Sequence, residues 1–263
     1  MTFDLQGRTA LVTGAGGPGG IGFATARLLG AMGAAVAVTS TTDRIAERAR
    51  SLADEGVEVL HHVADLTRPA EAAALVDAVL TRFGRLDVLV NNAGMTQLGA
   101  PDDEGGAFLE LDARHWQASV ERNLLTAVTV TRLVLPAMLA VGHGRIVNVA
   151  STSGPVTAFG DDAAYHAAKA GLVGMTRSLA IEVAQRGVTV NAVCPGWIAT
   201  PSVSAEERQM GAATPMGRSG TPAEVAAGIA FLASDEASYL TGQLLVVDGG
   251  NAVTEDKRLP GAT

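Results

Sequence analysis

Thr9-Ala10-Leu11-Val12-Thr13-Gly14-Ala15-Gly16-Gly17-Pro18-Gly19-Gly20-Ile21-Gly22 is a short apolar run that breaks into a glycine-rich turn, and a helical pattern follows over 22–32. A strand, a tight turn and a helix in that order form the opening unit of an alternating α/β chain. The alternation continues outward from it. Apolar runs at 35–39, 57–63, 88–91, 145–150, 189–193 and 244–247 join 9–13 as strand candidates, and 69–83, 113–140, 163–185 and 222–233 carry further helical patterns. Most of the strand runs are apolar throughout, as strands buried on both faces are. Thr67 and Thr221 are N-cap candidates, each with a proline close behind. Strict alternation predicts one α/β domain over 1–263, a doubly wound seven-stranded parallel sheet flanked by helices. The segments 95–106, with Asp102, Asp103 and Glu104, and 200–220 read as loops, and 254–263 as a polar tail prone to fraying unless a second subunit covers it.

Composition narrows the class. Of 263 residues 48% are hydrophobic and 17% charged, which suits a buried core rather than a disordered chain. A net charge of -8 excludes a typical binder of nucleic-acid phosphates, which concentrates Lys and Arg. The single Cys194 excludes an intrachain disulfide and fits a reducing compartment. Met1 to Gly7 has no charged-then-apolar leader pattern, and apolar stretches are interrupted by Arg, Asp or Gly before about 20 residues. The expectation is a cytoplasmic protein without a membrane span. His61 and His62, adjacent on a strand, point to opposite faces, and the five histidines show no ligand spacing, so no metal is expected.

Glycines in the opening turn let the backbone approach a pyrophosphate, and the N-terminus of the following helix offers N–H groups and a positive dipole end. A glycine cluster alone would equally fit a surface loop; its place between the first strand and first helix points to a nucleotide cofactor. An acid about 20 residues further on would bind ribose hydroxyls and select NAD. Ser40 stands there, within Val38-Thr39-Ser40-Thr41-Thr42-Asp43-Arg44. Small hydroxyls at Ser40 and Thr41 leave room for a 2′-phosphate that Arg44 can pair with, so NADP(H) is favoured over NAD(H). The alternative is that Asp43 caps the next helix and Arg44 is a surface charge.

Tyr165-His166-Ala167-Ala168-Lys169 places a phenol and an ammonium four apart on one helix face. A nearby cation favours phenolate, so Lys169 is expected to make Tyr165 more acidic. With these motifs the chain resembles the short-chain dehydrogenase/reductase family, closest to its 3-oxoacyl-carrier-protein reductase-like members, from Gly7 to about Asn251. The family's Thr-Gly-x-x-x-Gly-x-Gly turn is met by Gly14, Gly20 and Gly22, with two extra residues before Gly20. The resemblance implies cofactor contacts at Gly14, Gly20, Ile21, Gly22, Asp65, Leu66, Asn92, Ala93, Gly94, Pro195, Gly196, Ile198 and Thr200, together with Tyr165 and Lys169. Asn91 is as open to a structural role as to a ligand contact.

It also implies Tyr165 as proton donor, Lys169 as its tuner, Asn123 as part of a water relay, and Ser151 as the hydroxyl that orients the substrate oxygen, with Ser153 as a rival. The implied reaction passes hydride between a nicotinamide and a small-molecule carbonyl or alcohol. The stretches 214–218 and 233–234 resemble the 3-oxoacyl reductase branch. Arg186 suits docking of an acyl carrier protein, whereas the apolar 136–143 does not. An NAD-linked dehydrogenase of a small secondary alcohol, steroid or polyol, and a nucleotide-binding scaffold without chemistry, remain as alternatives. Apolar residues on more than one face of 113–140 and 163–185, with the resemblance, imply a homotetramer or homodimer.

Overall fold

Every strand candidate becomes a strand, and all seven lie in one parallel sheet. The computed structural model describes residues 3–94 and 106–255. In chain order the elements are β1 (Thr9–Val12), α1 (Ile21–Ala31), β2 (Ala35–Ser40), α2 (Arg44–Asp54), β3 (Val59–Val63), α3 (Pro69–Phe83), β4 (Val88–Asn91) and α4 (Ala113–Val120), then α5 (Thr126–Val141), β5 (Gly144–Val149), α6 (Ala163–Val183), β6 (Val188–Pro195), α7 (Ala205–Ala212), α8 (Pro222–Ala233) and β7 (Leu244–Val247). The order β3-β2-β1-β4-β5-β6-β7 changes direction between β1 and β4. At such a switch point the two neighbouring connections leave in opposite directions and open a crevice at the carboxyl edge.

Alternation along β1 sends Ala10 and Val12 to one face of the sheet and Leu11 to the other. The first face packs with Phe23 and Leu29 of α1 and Val225 and Ile229 of α8. The second packs with Leu75 and Val79 of α3 and Val130, Val134 and Met138 of α5. Both faces are therefore dry, which explains why the strands lack polar alternation.

Several expectations need correction. The helix that follows Asp43 is α2, residues 44–54, with Ile45, Ala49 and Leu52 buried at helical spacing, and Asp43 makes no side-chain capping bond to it. The 200–220 segment contains α7, started by a capping box in which Glu207 N–H donates to the Ser204 hydroxyl and Ser204 N–H to the Glu207 carboxylate. Thr67 is not a cap: Arg68 takes that position in α3, and the Thr67 hydroxyl donates to Asp65 Oδ1 at 2.6 Å. Thr221 does cap α8, in a box with Glu224. The predicted helix 113–140 is divided by a π-helical turn, Glu121–Leu125. The stretch 113–141 also contains an 18-residue window with the mean hydropathy (1.9) of a membrane-crossing helix, which counting interruptions in the sequence had not suggested; here its Val130, Val134 and Met138 lie in the core. The expected loop 95–106 lies outside the described residues except Gly106, and the expected tail except Thr254 and Glu255.

A buried polar ladder ties the carboxyl ends of the central strands to two helices. Asn91 Nδ2 donates to Asn148 Oδ1 and to Thr131 Oγ1, each at 2.9 Å, and Asn148 Nδ2 donates to Thr176 Oγ1 at 2.8 Å. Asn91 is thus structural. Removing the shared member strands its partners, so Asn148→Ala is expected to lower unfolding stability by about 1–3 kcal/mol, seen as a lower urea midpoint at unchanged slope.

Candidate active site

The glycine turn is shaped by its neighbours. Gly14 has φ +67, and a Cβ there would lie 2.8 Å from Ala93 Cα. A Cβ on Gly22 would come 2.7 Å from the Gly14 carbonyl oxygen. Asn92 braces this packing: its Nδ2 donates to the carbonyls of Thr13 and Gly14, both at 3.0 Å. Thr13 Oγ1 accepts from the N–H groups of Asn92 and Ala93, both at 2.9 Å. The sequence motif contains Thr13, but its role as the pin between β1 and β4 emerges only in three dimensions. Gly20 caps α1 without any side-chain acceptor for the first-turn N–H groups. An uncapped helix start behind a turn too tight for side chains fits a pyrophosphate.

At the end of β2, Ser40 Oγ donates to the Thr42 carbonyl at 2.9 Å, and no acid ends the strand. Arg44 opens α2 and its side chain turns toward the glycine turn: a Cβ on Gly16 would meet Arg44 Nε at 2.8 Å and Ser40 Cβ at 2.7 Å. Asp43 precedes α2 without a side-chain capping bond. After β3, Asp65 Oδ1 accepts from Thr67 N–H at 3.1 Å, while Leu66 is buried in the core and offers only its backbone. After β6, Gly196 packs on Asp248, Ile198 is bridged to Gly220, and Thr200 Oγ1 lies 3.1 Å from Ser202 Oγ. The residues expected to meet a dinucleotide therefore all sit at the carboxyl edge of the sheet, and the glycine packing, free N–H groups and Arg44 fit one.

Tyr165, Lys169, Ser151 and Asn123 converge beside them. Asp162 caps α6, accepting from Tyr165 N–H at 3.4 Å. The Ser151 hydroxyl faces the Tyr165 phenol and favours its ionised form. Ser153 N–H donates to Ser151 Oγ at 3.1 Å. Lys169 is 3% exposed, and its Nζ donates to the Val149 carbonyl at 3.1 Å. Asn123 lies in the π turn, an element rare in helices and frequent at functional sites. Its Nδ2 donates to the Ser119 carbonyl at 3.1 Å. A Cβ on Gly94 (φ +155) would lie 3.0 Å from Asn123 Oδ1 and 3.3 Å from Lys169 Nζ, so both groups line the same small space.

The electrostatics correct one expectation. Burial pushes the Tyr165 phenol up to about 12, with the Ser151 hydrogen bond only partly opposing it. Lys169 Nζ sits 5.6 Å from the Tyr165 ring centroid and is committed to a backbone carbonyl. Burial also weakens the ammonium, whose pKa falls to about 8. Desolvation dominates, so Tyr165 rests as a neutral phenol. Cys194 lies behind Ser151, with its thiol raised to about 11 by burial, and is no nucleophile.

Residues 14–252 match the family model described as enoyl-(acyl carrier protein) reductase. The chain belongs to the short-chain dehydrogenase/reductase family, and it is an NAD(P)-dependent oxidoreductase that interconverts ketones and secondary alcohols. It is 44% identical over 247 residues to cis-4-hydroxycyclohexanecarboxylate dehydrogenase of Sinomonas cyclohexanicum, covering 92% of this chain and 96% of that one. With 3-oxoacyl-(acyl-carrier-protein) reductase FabG of Vibrio cholerae it shares 41% over 252 residues, covering 94% and 98%. An actinorhodin polyketide ketoreductase solved with NADPH superposes at a TM-score of 0.85 with 41% identity, over 94% of this chain and 98% of that one.

A buried lysine that titrates near 8 should leave its mark on the rate. The reductive kcat/KM is expected to be flat at neutral pH and to fall as pH rises through about 8, where Lys169 loses its charge. In Lys169→Arg, whose guanidinium stays protonated, the residual activity should lack that fall. An unchanged profile would assign the ionisation to another group.

Proposed function

We propose that the protein is an NADP(H)-dependent ketoreductase in which Tyr165 protonates the carbonyl oxygen, Ser151 orients it, and Lys169 and Asn123 serve the proton path. The observation that carries this reading is the convergence of these four side chains at the carboxyl edge beside the glycine turn. When bound, the nicotinamide supplies hydride to the carbonyl carbon. Gly14, Gly20, Ile21 and Gly22 would hold its phosphates. Ser40, Thr41 and Arg44 would hold the adenosine ribose and its 2′-phosphate, with Asp65 and Leu66 at the adenine. Asn92, Ala93, Gly94, Pro195, Gly196, Ile198 and Thr200 would flank the nicotinamide half.

A phenol with pKa near 12 starts reduction already protonated, as the acid this step needs. Ser151 gives the substrate oxygen a fixed hydroxyl donor. Lys169 stands next in line to return a proton, and Asn123 Oδ1 beside it is the acceptor that orients the transfer.

Two substrate classes follow from the relatives. The 3-oxoacyl reductase similarity supports an acyl thioester. The cis-4-hydroxycyclohexanecarboxylate dehydrogenase similarity supports a secondary alcohol on a ring. A carrier protein gains little support, since Arg186 is engaged with the Leu139 carbonyl at 3.4 Å beside the apolar end of α5. Exposed Leu125, Val141 and Ile181, with the groove lined by Val128, Leu135, Met175 and Leu179, support a homodimer or homotetramer, for which sedimentation velocity is the check. The lone free thiol supports a cytoplasmic location.

Tyr165→Phe should bind NADPH nearly as the wild type does by fluorescence and lose about two to four orders of magnitude in turnover; near-normal turnover removes Tyr165 as the acid. Arg44→Ala should raise KM for NADPH by about tenfold or more, the loss of one charge-assisted contact, and leave KM for NADH little changed. Equal effects on both cofactors would speak against a 2′-phosphate at Arg44.

A further inference from the structure

Between Ser151 and α6 the chain folds back on itself and holds an aromatic ring in the open. The N–H groups of Val156 and Thr157 both donate to the Thr152 carbonyl, at 3.0 and 2.8 Å, and Gly154 N–H donates to the Thr157 carbonyl at 2.8 Å. Gly154 has φ +100 and lies so close to the first turn of α6 that any Cβ would collide with the His166 carbonyl. His166 then fixes the far side of the loop. Its Nδ1 donates to the Asp162 carbonyl at 2.6 Å, and its Nε2 accepts from Phe159 N–H at 3.2 Å. Both bonds together require the neutral ring with its proton on Nδ1.

The rings that result form a row. Phe159 packs edge-on against His166 with centroids 4.5 Å apart, and His166 against Tyr165 at 6.2 Å. On the other side Phe159 meets Trp197 at 6.5 Å, tilted by 34°. Trp197 directly follows Gly196 at the end of β6, and its carbonyl accepts from Gly220 N–H at 2.9 Å. Phe159 remains 48% exposed although it is gripped at its backbone and on two sides. A large apolar ring held open in a row of rings that starts at Tyr165 is the makeup of a ligand wall.

Resting on the ketoreductase reading, we propose that Phe159 and Trp197 determine specificity: the substrate is a ketone whose carbonyl is carried on an apolar ring, which lies on this wall while its oxygen reaches Ser151 and Tyr165. A rigid ring covers flat aromatic surface without freezing rotors. A linear acyl chain of similar area must freeze its rotors to cover the same surface. His166 is a positioning residue, acting through the Phe159 backbone.

The test compares cyclohexanone with 2-hexanone, of equal carbon count, and with acetoacetyl-CoA, following NADPH consumption. The wild type should favour cyclohexanone in kcat/KM by about tenfold or more, the scale of pocket discrimination between apolar groups. Phe159→Ala should erase most of that preference through KM, with kcat for cyclohexanone and both constants for 2-hexanone little changed; Phe159→Tyr should retain the preference. His166→Ala should raise KM for cyclohexanone in the same way. A wild type that prefers 2-hexanone or acetoacetyl-CoA overturns the proposal, as does a Phe159→Ala or Phe159→Leu variant that weakens ring and chain substrates equally. A wild type that binds NADPH by fluorescence yet consumes no ketone would overturn the reductase reading itself.

Discussion

An ammonium cannot be taken out of water without a partner, and Lys169 finds one at the end of β5. Its Nζ donates to the Val149 carbonyl, the last residue of that strand, and shares the space next to Gly94 with Asn123. The carboxyl edge of a parallel sheet supplies such carbonyls where its ladder stops. Burial still weakens the charged form, bringing Lys169 to about 8. The unfolded chain keeps that proton up to the ordinary lysine range, so below about 8 the folded state carries the cost of a buried cation. Stability contributed by this group therefore rises with pH from about 8 toward ordinary lysine values. Of the 19 lysines and arginines only Lys169 and Lys257 are lysine. Arginine cannot release its proton in this range, whereas an ammonium can.

The remaining site elements are positioned by what surrounds that cation. Gly94 must be glycine because its φ of +155 and the closeness of Lys169 and Asn123 leave no room for a side chain. Asn123 reaches it from a π turn, where the wider winding shifts the helix register at one point. The Asn91–Asn148 bond locks β4 to β5 just beneath, so the strand ends that carry Gly94 and Ser151 cannot slide independently. The site is assembled from a break in each of several regular elements.

Much of this was legible in the chain. Apolar runs located all seven strands because both faces of the sheet are buried, and the Tyr165–Lys169 spacing placed both groups on one helix because four residues make about one turn. What escaped the sequence depends on contacts between distant segments. The extent of α2 after Asp43 was not legible because its face of Ile45, Ala49 and Leu52 is short. α7 was hidden behind Pro201 and Pro215, although the Ser204–Glu207 capping box was there to be seen. The acidity of Tyr165 was misjudged because spacing reports that a cation is near, not that both partners are desolvated and the cation is turned to a carbonyl. Phe159 and Trp197 lie 38 positions apart in the sequence, and only the return of β6 alongside β5 brings them together.

The two extra residues of the glycine turn acquire a physical meaning from the same geometry. At one end Gly16 rests on Ser40 and Arg44; at the other, a Cβ on Gly19 would fall 2.8 Å from Pro201 Cγ. The turn thus reaches from the end of β2 to the segment that leads into α7. Glycine at position 19 is required by that contact and not by its own φ, since only proximity forbids a side chain there. Pro201 follows Thr200 directly, and Thr200 and Trp197 leave β6 on the same short stretch. The lengthened turn therefore packs against side chains at both ends, Ser40 and Arg44 at one and Pro201 at the other, and a bulkier residue at position 19 would have to push Pro201 away.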